Sequence, residues 1–352
     1  MSETKVIVME HAARYPSMQP QDVVKLLYQN EFGAGHFVTD RDKSRNRIID
    51  EYEAAGHDRD LPLFERIGNE YVRCHIDSRY MREEDITCLN RAFLLSAHRT
   101  SGNMASFQKK LSVLYTLAEE GVFCFGRKDL ESYLLPYESD GFPAVSHSST
   151  YREAYHPSYR VIGERLCRLF PLISEIERLQ KNKRRVTVAI DGRCTAGKTS
   201  AAGDIAEMFQ GEVIHMDDFF LPPGLRTKER YEQAGGNVHY ERFQKEVLDQ
   251  LASGKEFSYR VFSCRKMDYD ESKTIRGDGL VIVEGAYSNH PVFGNPYDLT
   301  VFFDVEEEEQ KHRIIQRDGK EHYFDFEKKW IPLEEKYINS AHICEKCRIV
   351  VR

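Results

Sequence analysis

The stretch Gly192-Arg193-Cys194-Thr195-Ala196-Gly197-Lys198-Thr199 constrains this chain more than any other. It fits G-x-x-x-x-G-K-[ST] in full. It follows the apolar run Val186-Thr187-Val188-Ala189-Ile190, which reads as a buried strand, and it opens a helical pattern from Lys198 to about Phe209. A strand that turns through glycines into a helix aims backbone N–H groups inward, and the helix N-terminus adds positive potential. The product is a cradle for phosphate oxygens. In such a cradle Lys198 brings a point charge to the β- and γ-phosphates, Thr199 offers its hydroxyl to Mg²⁺, and Ser200 completes the nucleotide-binding set. ATP and Mg²⁺ are the expected ligands. Cys194 reads as a small residue tolerated at a variable position of the loop.

The pattern after Val186 alternates between strand and helix. Further strands are expected at Val213–Met216, Tyr259–Phe262, Leu280–Val283, Leu299–Phe303 and Arg348–Val351. Short apolar strands separated by helical stretches predict an α/β fold, with a parallel sheet covered by helices on both faces. The basic run Lys181-Asn182-Lys183-Arg184-Arg185 closes the preceding helix, which sets the expected domains at 1–180 and 181–352.

Two of these strands end in carboxylates, and ligands bind outside the carboxyl ends of strands in such sheets. One end reads His215-Met216-Asp217-Asp218-Phe219-Phe220, the other Val281-Ile282-Val283-Glu284-Gly285. A phosphoryl transfer to a hydroxyl needs a carboxylate near the acceptor oxygen, and a hard cation needs oxygen ligands. Asp217 and Asp218 are therefore candidates for the acceptor side, and Glu284 for the metal side. If the strand pattern continues through them, Asp217 and Asp218 point to opposite sides, so both cannot face the acceptor equally.

With these residues in view, the C-terminal half, about 184–352, resembles the uridine kinase, phosphoribulokinase and nicotinamide riboside kinase group of P-loop kinases. The resemblance also rests on Arg313-Ile314-Ile315-Gln316-Arg317-Asp318 and on Trp330-Ile331-Pro332-Leu333-Glu334-Glu335-Lys336-Tyr337. It implies that Asp217 is the base, that Glu284 helps the magnesium site, and that Arg313 and Arg317 lie in a lid over the phosphates. It further implies that Asp218, Phe220, His239, Tyr240 and Tyr259 belong to the acceptor pocket. The sequence departs from the group where His239 stands in place of a ribose-gripping Asp and Cys264 stands near a usual His. The implied activity is an ATP-dependent small-molecule kinase. A nucleoside or ribose-containing acceptor leads, with a sugar phosphate, or an ATPase switch acting on the N-terminal domain, as rivals.

The first 180 residues resemble no characterised family and read as mainly helical. Val23, Val24, Leu26 and Leu27 follow Pro20, and Leu111, Leu114 and Leu117 recur at helical spacing. Tyr71-Val72-Arg73-Cys74-His75-Ile76 reads as a short strand, 136–157 as a long loop, and Tyr159 to Leu179 as one helix. Glu31-Phe32-Gly33-Ala34-Gly35-His36 is a glycine-rich turn ending in His, and His75 is expected in apolar surroundings.

Bulk properties narrow the class further. A formal charge of -7 gives no basic field for nucleic acid. No apolar run reaches the ~18 residues of a membrane helix, and the polar start lacks a signal-peptide pattern. Eight scattered cysteines read as reduced thiols in a cytoplasm. Cys344 and Cys347 form a lone CxxC, a weak metal signal. Self-association is left open.

Overall fold

The computed structural model describes residues 2–34, 40–56, 59–99 and 102–352, so Gly35 and His36 lie outside the described residues. The chain divides into two compact units, Met1–Phe170 and Pro171–Arg352.

In the first unit the helices are α1 (Glu3–Arg14), α2 (Pro20–Phe32), α3 (Arg41–Ala54), α4 (Ile86–His98), α5 (Met104–Glu119), α6 (Arg127–Ser139) and α7 (Ser149–Tyr155). Its strands β1 (Phe64–Gly68), β2 (Tyr71–His75) and β3 (Tyr159–Gly163) form an antiparallel sheet in that order. Apolar periodicity explains the helix packing. Val23, Val24, Leu26 and Leu27 of α2 and Phe107, Leu111, Leu114 and Leu117 of α5 are buried in one core. Pro20 stands at the start of α2, where its missing N–H costs nothing.

Three local expectations are corrected. Residues 159–163 form a strand, and helix α8 starts only at Glu164 and runs to Gln180. Ile162 belongs to β3 and is fully buried, so an apolar residue that fits the helical spacing serves the sheet instead. The stretch 136–157 is not one loop: Pro136 lies inside α6, and α7 occupies its end. His75 does not sit among apolar groups. Its Nε2 is 3.4 Å from the Glu65 carboxylate and its Nδ1 is 3.8 Å from Asp77.

Polar side chains also meet inside this unit. β2 is the middle strand, and Arg73 and His75 share one of its faces, across from Glu65 on β1. Burial alone would raise Glu65, but His75, His11 and Arg73 hold its carboxyl well below the usual range. Arg14 and the Tyr15 hydroxyl add hydrogen bonds of 2.6 and 2.9 Å.

The second unit follows the α/β expectation. Its strands are β4 (Arg185–Gly192), β5 (Glu212–His215), β6 (Phe257–Ser263), β7 (Asp268–Ile275), β8 (Gly279–Glu284), β9 (Leu299–Phe303) and β10 (Ile349–Val351). Five of them form a parallel sheet in the order β10-β9-β4-β8-β5. β4 and β8 are buried almost throughout, as central parallel strands must be. The strand expected at Tyr259–Phe262 exists as β6 but leaves the parallel sheet. It pairs antiparallel with β7 in a two-stranded hairpin. The helices are α9 (Lys198–Phe209), α10 (Lys228–Glu232), α11 (Tyr240–Phe243), α12 (Asp249–Ser253), α13 (Glu307–Asp318), α14 (Lys320–Asp325), α15 (Ile331–Ala341) and α16 (Ile343–Lys346). Among the described residues no helix is long and apolar enough to cross a membrane.

The buried histidines of the first unit set its acid response. Burial, then the Arg73 charge, lowers His11 from 6.5 to about 4, and burial lowers His147 to about 4. A depressed folded value means stability that is present above pH 6.5 and is lost as pH falls toward 4. His75 acts in the opposite sense, because Asp77 and Glu65 outweigh its burial and raise it. Among the described residues two such histidines oppose one, so acid should loosen this unit. Amide exchange of α2 peptides should quicken between pH 7 and pH 5, after correction for intrinsic rates. His147→Gln should flatten that dependence, and an unchanged pH dependence in the variant would refute the assignment.

Candidate active site

Strand register brings the site together before any side chain is considered. In the parallel sheet Ile190 of β4 and His215 of β5 both pair with Glu284 of β8, and Gly192 pairs with Phe303 of β9. The carboxyl ends of all four strands thus meet at one edge. The order places β8 and β9 on opposite sides of β4, which makes the end of β4 a switch point where ligands bind in open α/β sheets.

The loop after β4 is held by close approach. Gly192 has φ +136°, and a Cβ there would lie 2.1 Å from the Phe303 carbonyl oxygen, so no other residue fits. Gly197 has φ +96° and caps α9 directly before Lys198. The Lys198 ammonium donates to the carbonyls of Gly192 and Arg193, both at 2.7 Å, and so folds back over its own loop. Arg193 leaves the cradle. It donates to Glu335 at 2.7 and 3.0 Å and pairs with Asp304. The buried Glu334 carboxylate accepts the Cys194 N–H at 2.9 Å, and burial raises its pKa. Cys194 is desolvated beside Glu334, which pushes its thiol up to about 12.

Asp191 carries no role in the sequence reading, yet it organises this edge. Its carboxylate is buried and accepts from the N–H groups of Gly192, Tyr287 and Asn289 and from the Tyr337 hydroxyl, at 2.7 to 3.1 Å. Desolvation raises its pKa despite these four donors.

The acidic residues divide more sharply than strand alternation implies. β5 ends at His215, and Met216–Phe219 is a 3₁₀ turn, which corrects the extended path expected there. The turn leaves Asp217 open to water in the cleft, while Asp218 is buried. Asp218 accepts from the Tyr259 hydroxyl at 2.9 Å and from Lys273 at 3.0 Å, which pins the β6–β7 hairpin to the turn. It caps no helix turn. Crowding by protein, then the Glu284 charge, raises the pKa of Asp217 against the pull of Lys198 and His215. Glu284 accepts the Thr199 hydroxyl at 3.1 Å and pairs with His215, whose pKa that hydrogen bond raises.

One cavity of about 670 Å³ gathers most of these groups. Its walls carry Cys194, Thr195, Gly197, Lys198, Thr199 and Ser200 from the loop and α9, together with Asp217, Phe220 and Glu284. Arg313 and Arg317 of α13 enter it as well. In this state Arg313 donates to Glu309 at 2.7 Å and to the Thr195 carbonyl at 3.2 Å, and Arg317 pairs with Asp318. Phe326, Asn237 and Tyr287 line the cavity with no role assigned from the sequence, and so does Trp330, which entered there only as part of a resembling stretch. Asp218, His239, Tyr240 and Tyr259 are not among its lining residues. Tyr240 stacks on His290 and accepts from Arg230 at 2.6 Å. Cys347 accepts from the Asn289 side-chain amide at 3.3 Å, and among the described residues no cluster of three or more His, Cys, Asp or Glu side chains could hold a metal.

Comparison with solved structures covers about half of the chain. No protein-family model and no curated protein matches the chain. Among solved structures, a possible uridine kinase from Bacillus stearothermophilus is 17% identical, with a TM-score of 0.39, over 52% of this chain and 100% of that one. D-glycerate 3-kinase from Cryptococcus neoformans is 15% identical, with a TM-score of 0.36, over 47% of this chain and 84% of that one. At these values the fold assignment rests on the strand order and the phosphate loop of this chain itself. Those define a P-loop fold in the second unit, preceded by a mainly helical unit.

The Asp191 network gives a direct test. Tyr337→Phe removes one donor from a buried carboxylate, which costs about 1–3 kcal/mol. Trp330 is the only tryptophan of the chain and lies in this unit, so its fluorescence reports this unit's unfolding. The urea midpoint read by Trp330 should fall in Tyr337→Phe, and an unchanged midpoint would remove Asp191 from its organising role.

Proposed function

We propose that this chain is an ATP- and Mg²⁺-dependent kinase that phosphorylates a hydroxyl of a small molecule, with a nucleoside or another ribose-containing compound as the leading acceptor class. The observation that carries this reading is the shared cavity: Asp217 opens into the same space as Lys198, Thr199, Glu284, Arg313 and Arg317. A phosphate cradle alone serves many nucleotide hydrolases. A carboxylate with a raised pKa, open to the cleft beside it, suits proton removal from an acceptor.

In the proposed reaction the acceptor oxygen attacks the γ-phosphorus and the bond to the β–γ bridging oxygen breaks. The acceptor proton passes to the Asp217 carboxylate. ADP leaves with the bridging oxygen. Lys198 must turn from the carbonyls of Gly192 and Arg193 toward the phosphates, exchanging two neutral acceptors for charged ones. Arg313 and Arg317 stand ready to stabilise the charge spread over the transferring group. The Thr199 hydroxyl and the Glu284 carboxylate are hard oxygen donors 3.1 Å apart and suit Mg²⁺, which would offset phosphate charge. Asp218 acts one step back, holding the hairpin through Tyr259 and Lys273. The described cysteines are all free thiols, in keeping with a cytoplasmic location.

A screen of nucleosides, sugars, glycerate and vitamins for ATP consumption, with the product identified by mass, tests the reading. ATP loss without a phosphorylated acceptor would replace the kinase with an ATPase. Once an acceptor is known, Asp217→Asn should lower turnover by about 10²–10⁴ and leave ATP affinity nearly unchanged. Because Asp217 must be ionised and its pKa is raised, the wild-type rate should begin to fall at a higher pH than an ordinary Asp would give. Asp218→Asn should act mainly on stability by losing the ion pair with Lys273. Wild-type turnover in Asp217→Asn beside a folded but dead Asp218→Asn would reverse the two roles.

A further inference from the structure

The first unit contains a cavity of about 1030 Å³, larger than the one described above, bordered by α2, α3 and β3. We propose that this cavity is a second ligand site, for a small organic anion bearing a phosphoryl or carboxylate group, with Lys25 as its principal counter-charge. The inference does not depend on the activity of the second unit.

The charge arrangement carries it. Among the described residues, Lys25, Lys43, Arg47, Arg59 and Arg160 line the cavity against Asp40, Glu51 and Asp77, in a chain whose formal charge is -7. The three carboxylates are already engaged. Glu51 receives Arg160 at 2.7 and 3.0 Å and Arg47 at 3.3 Å. Asp77 receives Arg59 at 2.7 Å, and Asp40 caps α3 and pairs with Lys43. Lys25 is left over. It is half-buried, and it donates to the Val145 carbonyl at 2.9 Å. No carboxylate lies within ion-pair distance of it among the described residues. Burial, then the neighbouring Arg73 charge, lowers its pKa to about 8, against a weaker opposing pull from Asp22. A half-buried ammonium without a counter-ion is costly, and an anion in the cavity would supply one.

The remaining lining suits an organic ligand rather than a bare ion. Phe93, Pro157 and Val161 give an apolar wall. Opposite charges and hydrogen bonds fix the polar groups. Asp22 accepts from His147 Nδ1 at 2.9 Å, so the neutral ring is left to accept the Tyr159 hydroxyl at Nε2, at 2.6 Å. Arg73 lies 4.6 Å over the Tyr159 ring and binds Gln29, another lining residue. Ser158 lines the cavity as a residue, with its hydroxyl oxygen turned into the protein. The cavity thus sets an ammonium without a carboxylate partner among the described residues beside an apolar wall and neutral polar groups.

The test uses the full chain carrying Lys198→Ala, which takes the phosphate loop out of the readout, with inorganic phosphate and succinate as calorimetric probes. Saturable binding of at least one probe is expected. Tighter phosphate assigns a phosphoryl ligand, and tighter succinate a carboxylate. Adding Lys25→Met should weaken that binding about tenfold or abolish it, while Lys25→Arg keeps it within a few fold. No saturable heat from either probe overturns the proposal, and so does unchanged binding in a folded Lys25→Met. Should Lys25→Met fail to fold, Arg160→Gln serves as the second variant, with weaker binding expected and unchanged binding overturning the site.

Discussion

The buried carboxylate of Asp191 is the constraint on which the second unit's functional edge depends. An ionised group out of water is tolerated only when donors surround it. Here the donors come from the start of the phosphate loop, from the segment after β8 and from α15. One side chain therefore fixes the relative positions of three segments that also shape the cavity. Removing any donor leaves the same charge with fewer partners, so the segments are held as a group and not one by one. Gly192 adds the steric half of the same constraint, because the Phe303 carbonyl leaves room for no side chain.

What was legible in the sequence was what is local. The phosphate loop, α9 and the apolar parallel strands are written in consecutive residues, and the structure places them as the motif implies. The role of Asp191 is not local: three of its four donors stand 96, 98 and 146 residues away. Alone it reads as a polar residue before a glycine. Strand β7 escaped notice because Asp268-Tyr269-Asp270-Glu271-Ser272-Lys273-Thr274-Ile275 has few apolar residues to alternate. It lies in a two-stranded hairpin with most of its side chains outside the core. Strand β3 was hidden by the opposite problem, since Ile162 continues the spacing of Leu166 and Leu169. Asp217 is open to the cleft and Asp218 is buried, but a 3₁₀ turn and not the alternation of a strand divides them.

The two units solve the problem of interior charge differently. The second surrounds Asp191 with neutral donors. The first sets Glu65 among Arg14, Arg73 and histidines, and the sheet register brings Glu65 opposite Arg73. The arrangement around Asp191 costs a raised carboxyl pKa, while that around Glu65 depends on which histidines carry protons. The same face of β2 continues toward Tyr159 and His147, so the polar core of the first unit and the lining of its cavity share residues.

The Cys194 thiol bears on how this protein can be labelled. Half-buried beside the Glu334 carboxylate and pushed up to about 12, it stays protonated near neutral pH, and a protonated thiol is a poor nucleophile. Alkylating reagents should pass it over, although it stands in the loop that matters most. Cys124 in the first unit and Cys264 in the second are the exposed thiols among the described residues. Each unit thus offers one natural attachment point for a fluorophore or spin label, placed outside the phosphate loop.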